Sequence, residues 1–352
     1  MWSYICKRLL LLVPTLLGIL AFTFAIIQFV PGGPVEQMVQ QMTQGSQGMA
    51  EATGGASSGG LRGGSHGLSA EEMDKLKVLY GFDKPPLTRF IDMVKNFARF
   101  DLGDSFFQPK TVTQLVVEKL PVSMSLGLWT FVLTYLICIP LGIAKAVRDG
   151  SRFDAITSLL VLIGYAIPGF VLGVLLLILF GGGSFWALFP LGGMTSDDWD
   201  SFSSWHKISD YLWHMVLPIT ASVVGNFAVM TLLTKNVFLE EIRRQYVYTA
   251  RAKGLSERRI LWKHVFRNAM IPLITGFPAA FLGAFFTGSL LIETLFSLDG
   301  LGLLSYEAVV KRDYPVVMGT LYVFTLMGLL AKLLSDISYV LVDPRIHFDG
   351  ER

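Results

Sequence analysis

The residue types and spacing that point most directly to a function lie in a basic segment between two apolar stretches, residues 245–260. Lys253 and Gly254 form a pair typical of a helix C-terminus, because the cation meets the negative end of the helix dipole and glycine tolerates a positive φ. Ser256 is then expected to N-cap a second helix, with Glu257 in its first turn. The segment therefore predicts a short helix, a sharp break and a second short helix.

Helices of two or three turns are marginal in water, so this segment needs a surface to pack on. A helix lying in the membrane interface would carry bulky apolar residues on one face. Ala250, Ala252 and Gly254 stand instead at spacings i, i+2 and i+4, and we expect them to let a partner's backbone approach closely. Docking to a cytoplasmic protein is the favoured interpretation. The alternative is a basic loop that happens to be helical.

The sequence gives no comparable support for catalysis. It contains no Gly-x-x-x-x-Gly-Lys-Ser/Thr phosphate loop, and its paired glycines at 54–55, 59–60 and 63–64 are typical of a polar linker. The five histidines are scattered, so they predict no metal centre, and no Ser/His/Asp arrangement has a supporting context. We predict that the chain is not an enzyme and binds no cofactor, metal or nucleic acid.

The elements that position the basic segment are membrane spans. Hydrophobic residues make up 52% of the chain and charged residues 16%, and the mean hydropathy is +0.54. Continuous apolar runs of roughly 20 residues match a hydrocarbon core of about 30 Å and lack the alternation of a β-barrel. The sequence predicts an all-α polytopic membrane protein with about six spans, near 9–30, 120–144, 156–180, 211–233, 271–292 and 316–341.

Loop charge predicts the orientation. Cations precede the first span, lie between the second and third, and fill the loop 235–270, whereas the loop after the third span is acidic. By the positive-inside rule, both termini and the loop 235–270 are expected in the cytoplasm. The long segment 31–118 is then expected outside, and 343–352 forms a cytoplasmic tail after the core 119–342.

The outer segment has two parts. Residues 43–69 are rich in Gly and Ser and are expected to be mobile. Ser69–Gly81 has the pattern of a capped helix, and large apolar residues from Phe90 to Phe100 recur at helical spacing. We predict a small extracytoplasmic helical cap; the alternative is a solvated tether carrying one amphipathic helix.

The spans themselves carry few polar side chains. Asn226, Thr231, Thr287 and Ser289 are candidates for a polar translocation path, and the alternative for span glycines and prolines is helix packing and kinks. The prolines expected to break the spans are Pro140, Pro168, Pro218, Pro272 and Pro278. Lys332 and Asp336 are predicted to form a structural i,i+4 pair rather than a proton relay. The first five predicted spans have no charge in their interiors, which favours an external energy source over an ion gradient.

Thr249-Ala-Arg-Ala-Lys-Gly254-Leu, followed by Arg267-Asn-Ala-x-Ile-Pro272, resembles the coupling loop of ATP-binding-cassette (ABC) importer permeases. Tyr248 and Thr249 stand where the broad family has Glu-Ala, which matches its peptide/nickel branch. The resemblance continues nearly throughout the chain outside 43–69, in motifs such as Pro31-Gly-Gly-Pro34, Tyr165-Ala-Ile-Pro168 and Val342-Asp-Pro-Arg345.

The resemblance implies the type I permease fold in a bacterial inner membrane. It also implies a heterodimer with a second permease, cytoplasmic ABC ATPases that hold ATP and Mg²⁺, and a periplasmic solute-binding protein. The implied cargo is oligopeptides or peptide-like compounds, including microcin-type antibiotics. The coupling residues carried over are Tyr248, Thr249, Ala250, Arg251, Ala252, Lys253, Gly254 and Leu255.

Two functions of another class stay open on the residues alone. One is an ion-coupled secondary transporter. The other is a membrane scaffold whose basic loop binds anionic lipid.

Overall fold

A computed structural model describes residues 2–29, 83–182, 185–286 and 289–342. In these ranges the only β-pairing is two isolated bridges, so the predicted all-α class is confirmed. The helices are α1 (Trp2–Phe29), α2 (Pro86–Phe97), α3 (Val112–Val147), α4 (Arg152–Ala166), α5 (Gly169–Phe180), α6 (Ser204–Ile242), α7 (Gln245–Ala252), α8 (Glu257–Ala269), α9 (Ile271–Phe286), α10 (Leu290–Leu295), α11 (Leu301–Lys311) and α12 (Tyr314–Val342).

Four helices, α1, α3, α6 and α12, are long and apolar enough to cross a membrane, and the number reaches six if each of two bent pairs is one span. The predicted third span is the pair α4–α5, bent by 93°, and the fifth begins in α8–α9, bent by 51°. The described residues thus hold four to six candidate spans, in agreement with the predicted number of about six. The fifth run also ends earlier than expected, because α9 stops at 286 and α10 is a separate short helix.

Proline explains part of this pattern. Pro168 is the N-cap of α5 and Pro272 lies in the first turn of α9. A missing N–H costs nothing at these positions, and proline disfavours helical geometry in the residue before it. Pro140, Pro218 and Pro278 lie inside continuous helices, so the breaks expected there are wrong. Bilayer helices tolerate proline when neighbouring groups satisfy the freed carbonyl.

The chain divides into two compact units, and the first contains residues 10–118 and 305–325. Its described part includes α2, whose Phe97 is buried and packs on Tyr322 with ring centroids 5.1 Å apart. The helical spacing predicted after Phe90 is confirmed over 86–97. Phe100 lies beyond the helix, with a φ of +59°. The predicted mobile segment 43–69 and the predicted helix 69–81 lie outside the described residues.

The second unit contains residues 1–9, 119–304 and 326–352. Two apolar clusters form its core: one around Met215, Ala221 and Phe296, and one around Phe238, Val247 and Ile260. These two clusters hold α6 against its neighbouring helices along much of its length.

One predicted ion pair in this unit is wrong. The Asp336 carboxylate lies 3.1 Å from the Arg8 guanidinium, and no Lys332–Asp336 bridge forms between these two described residues. A cation on α1 therefore pairs with the carboxylate in place of the cation one helical turn away.

Candidate docking surface and membrane cleft

The helix α7 is fixed at its start by Tyr246. Its hydroxyl donates a hydrogen bond of 2.6 Å to the Glu241 carboxylate at the end of α6. Burial, together with this bond, raises the pKa of Tyr246 to about 12, so the phenol stays a protonated donor at physiological pH. This hydrogen bond therefore fixes the short connection between α6 and α7.

The end of α7 is a Schellman motif. Gly254 has a φ of +77°; its N–H donates to the Arg251 carbonyl at 2.9 Å, and the Leu255 N–H donates to the Ala250 carbonyl at 3.3 Å. These bonds satisfy carbonyls that a helix end otherwise leaves open. The predicted break at Lys253 and Gly254 is confirmed.

The start of α8 differs from the prediction. Ser256 has the extended backbone of an N-cap, but its side chain makes no capping hydrogen bond. The Glu257 carboxylate pairs with Arg251 across the break, with Nε–Oε1 at 2.6 Å and Nη2–Oε2 at 3.0 Å. This bidentate pair raises the pKa of Arg251 above its usual value. Arg251 also lies 5.8 Å from the centroid of the Tyr248 ring, so the three side chains form one exposed group.

The predicted coupling residues do not share one environment. Ala250 is buried and Leu255 half-buried, since both pack against this chain's own core. Successive helical residues are about 100° apart, so positions i and i+2 face different sides. The predicted small-residue stripe is therefore wrong as one continuous exposed face. We define the α7 ridge as the six residues that are exposed: Tyr248, Thr249, Arg251, Ala252, Lys253 and Gly254.

The α7 ridge is supported from behind. Val247 is fully buried beside Phe238 and Ile260. The stretch Ile260–Val265 within α8 is a π-helix, a feature often found at functional positions. The sequence indicated only that α7 needs a surface to pack on. In the structure, one face of α7 packs against this chain's own core and the other face is exposed.

A cleft of about 840 Å³ lies among α3, α5, α6, α9 and α10. Asn226 and Ser289, two of the predicted path residues, line it, together with Thr130 and Ser222. Thr231 is buried and is not part of the lining, and Thr287 lies outside the described residues. The described lining contains no Asp, Glu, Lys or Arg, so its polarity comes from hydroxyl and amide groups.

Sequence reasoning missed a charge cluster where α3, α4 and α6 meet, buried at Lys145 and Asp154 and exposed at Asp149. The Lys145 Nζ, fully buried, lies 3.0 Å from Asp154 Oδ1. The other Asp154 oxygen, Oδ2, lies 2.7 Å from Lys235 Nζ, which also lies 3.0 Å from Asp149. Two lysines and two aspartates are therefore linked in one network. In the sequence, only the opposite charges beside apolar runs could have indicated this cluster.

A second missed group is Glu293 on α10. It is fully buried, accepts a hydrogen bond of 2.9 Å from Ser123 on α3, and accepts another of 2.9 Å from the Leu303 N–H in the first turn of α11. This carboxylate therefore joins three helices beside the cleft. Across the described ranges, no three His, Cys, Asp or Glu side chains are grouped as a metal site.

Comparison with known proteins shows which family model and which relatives this chain matches. The family model for the inner membrane component of binding-protein-dependent transport systems matches residues 138–348. The peptidoglycan transport system permease YejB of Agrobacterium fabrum is 55% identical, with 99% of each chain covered. The inner membrane ABC transporter permease YejB of Escherichia coli O157:H7 is 53% identical, with 99% of this chain and 100% of that protein covered.

A more distant relative is the dipeptide transport system permease DppB of Escherichia coli, which is 32% identical over 98% of this chain and 99% of its own length. The resemblance inferred from the coupling-loop motif is thus confirmed along nearly the full chain. The chain belongs to the family of inner membrane permease components of binding-protein-dependent transport systems.

Proposed function

We propose that this chain is the translocation subunit of an ATP-driven importer of peptides or peptide-like solutes. Relatives named for dipeptide and peptidoglycan transport support that class of cargo, which includes peptide antibiotics of the microcin type. The chain itself performs no hydrolysis: ATP and Mg²⁺ are bound by a partner ATPase. A periplasmic solute-binding protein delivers the cargo, and a second permease completes a heterodimer.

The observation that carries the coupling proposal is the α7 ridge. Its backbone is fixed by the Schellman motif and its inner face is buried, so a push on the ridge moves the helix as a unit. Its outer face exposes Tyr248, Arg251 and Lys253 together. A short helix with a packed inner face and an exposed outer face of this kind fits a groove on an ATPase subunit.

The membrane orientation of the chain and the path of the cargo belong to the same proposal. The α7 ridge and both termini lie in the cytoplasm, as the basic loops predict. Cargo passes along the cleft that contains Asn226 and Ser289 when the paired permeases alternate between inward-open and outward-open forms. Hydroxyl and amide groups in the lining can hydrogen-bond to a peptide backbone without selecting side-chain charge.

Deleting residues 246–256 tests the docking site. We expect the shortened chain to reach the membrane but to lose co-purification with its ATPase. Gly254→Val is the finer test: a β-branched residue at a φ of +77° is strained, although nothing lies within 4 Å of a Cβ there. We expect this variant to abolish transport while membrane insertion stays intact.

Gly103→Val is the matched control, since Gly103 also has a positive φ, +80°, with open space around its Cβ position, but lies outside α7. It should keep ATPase association and uptake. Wild-type uptake by the Gly254→Val protein, or retained ATPase binding after the deletion, would rule out the α7 ridge as the coupling site.

A further inference from the structure

The charge cluster connects helices through two lysines. Lys145 makes a fixed connection between α3 and α4. Its ammonium lies within 3.0 Å of Asp154 Oδ1 and donates to the Asp154 carbonyl at 2.9 Å, to Thr157 Oγ1 at 2.9 Å and to Ser158 Oγ at 2.6 Å. An ammonium has only three N–H donors, so these acceptors saturate it. Lys145 therefore fastens the end of α3 to the first turns of α4.

Lys235 provides the second connection, from α6. Its ammonium bridges Asp154 in α4 and Asp149 in the preceding turn, at 2.7 and 3.0 Å. Arg243, just beyond α6, adds a contact of 3.2 Å to Asp149. Such bridges are short and directional, so they hold α6 at a defined position along α4.

Both ends of this connection lead to functional elements. Downstream, α6 ends at Ile242 and α7 begins at Gln245, so a displacement of α7 reaches Lys235 within about two helical turns. In the other direction, α4 continues through the 93° bend into α5, whose first residues, Gly169 and Phe170, line the cleft. The cluster thus lies between the α7 ridge and the cleft.

We propose that Lys235 is a positioning residue that transmits the movement of α7 to the bent pair α4–α5 and so to the cleft. This inference rests on the proposed docking of an ATPase at the α7 ridge. The Lys235 bridges, and not only the apolar packing around Phe238, transmit the movement that ATP hydrolysis produces at α7 and so open the cleft.

The test uses the complete complex in proteoliposomes, with three readouts: ATPase co-purification, ATP hydrolysis, and peptide taken up per ATP hydrolysed. Lys235→Met removes both bridges and leaves Asp154 paired with Lys145. We expect co-purification and hydrolysis close to wild type, with uptake per ATP lowered about tenfold, a typical size for coupling between two sites. Lys235→Arg, which retains the charge, should restore most of the ratio.

Lys207→Met is the matched control, because Lys207 lies on the same helix but near its other end and outside the cluster. Asp149→Asn weakens one bridge and keeps the other, so it tests the idea even if Lys235→Met does not fold; we expect an intermediate ratio. An unchanged ratio in Asp149→Asn or in folded Lys235→Met overturns the proposal. So does a parallel loss of hydrolysis and uptake that Lys235→Arg fails to restore. Absence of ATP-driven uptake in the wild type would instead refute the proposed function.

Discussion

Asp313 is a carboxylate that its unit keeps largely out of water, at the residue just before α12. Its side chain accepts hydrogen bonds from the Ser105 hydroxyl and from the Phe106 N–H, the latter at 3.1 Å. Burial, the largest effect, raises the pKa of Asp313 above its ordinary 3.8, although these hydrogen bonds act in the opposite direction. The residue thus ties the chain near 105 to the start of α12 while carrying a cost for its charge.

The stability of this unit should depend on pH through Asp313. Because the folded pKa lies above the unfolded one, the folded state binds the proton more tightly. The resulting stabilisation is fully present below 3.8 and is lost as pH rises through the raised folded pKa. Asp313→Asn removes this titration. The melting temperature of the wild type minus that of the variant should therefore fall as pH rises through the window and then level off.

Thermal unfolding in detergent at a series of pH values measures this difference. Asp101→Asn, at an exposed carboxylate in the same unit, controls for the loss of a charge. A difference that stays constant, or grows with pH, would contradict the assignment to Asp313.

At the scale of elements, the junction of α3, α10 and α11 depends on Glu293. Ser123 extends this junction, because its hydroxyl donates to Glu293 and accepts a bond of 2.8 Å from the Leu301 N–H. Gly300 leaves room for the carboxyl group: a Cβ there would lie 2.5 Å from the Glu293 Cδ. Because the carboxyl is buried and hydrogen-bonded, it has little freedom to move.

Gly300→Ala should therefore destabilise the protein by about 1–3 kcal/mol, the usual range for overpacking a filled site. Gly276→Ala is the matched control, since a Cβ at Gly276 meets nothing within 4 Å inside α9, and it should be neutral or stabilising by up to about 1 kcal/mol. The measurement is the melting temperature of each purified variant. Equal melting temperatures for the two variants would contradict the role given to Gly300.

Sequence could predict those elements whose signal is local. The end of α7 was predictable because Lys253 and Gly254 carry it in two adjacent residues, and α2 because its apolar residues repeat at helical spacing. The burial of Ala250 was not predictable, since it depends on Phe238 and Ile260, which come from two other helices. The strongest apolar runs were found and Pro168 indicated the break between α4 and α5, but hydropathy averages over a window and does not give the 93° angle of that bend.

The charge cluster shows the same limit of prediction from local sequence. Lys145, Asp154 and Lys235 flank three different spans, and each alone is typical of a loop near a membrane surface. Only tertiary packing brings them within hydrogen-bond distance. Asn226 and Ser289 were recognised as polar residues in apolar runs, a local signal, and both line the cleft.

The whole chain is a multi-pass inner membrane permease component, with a cleft whose described lining is uncharged and an exposed α7 ridge that follows directly after α6. The described cleft lining contains no Asp, Glu, Lys or Arg, and the proposed function assigns the opening of this path to a partner ATPase. The central claim is therefore that the driving force for uptake is ATP hydrolysis on a separate subunit.

The most direct measurement of that claim is uptake of a labelled peptide into proteoliposomes holding this chain, its sister permease and its ATPase, with the solute-binding protein supplied. We expect uptake that requires ATP, stops with a non-hydrolysable analogue and continues when proton and sodium gradients are dissipated. Uptake that proceeds without the ATPase and follows an imposed ion gradient would contradict it.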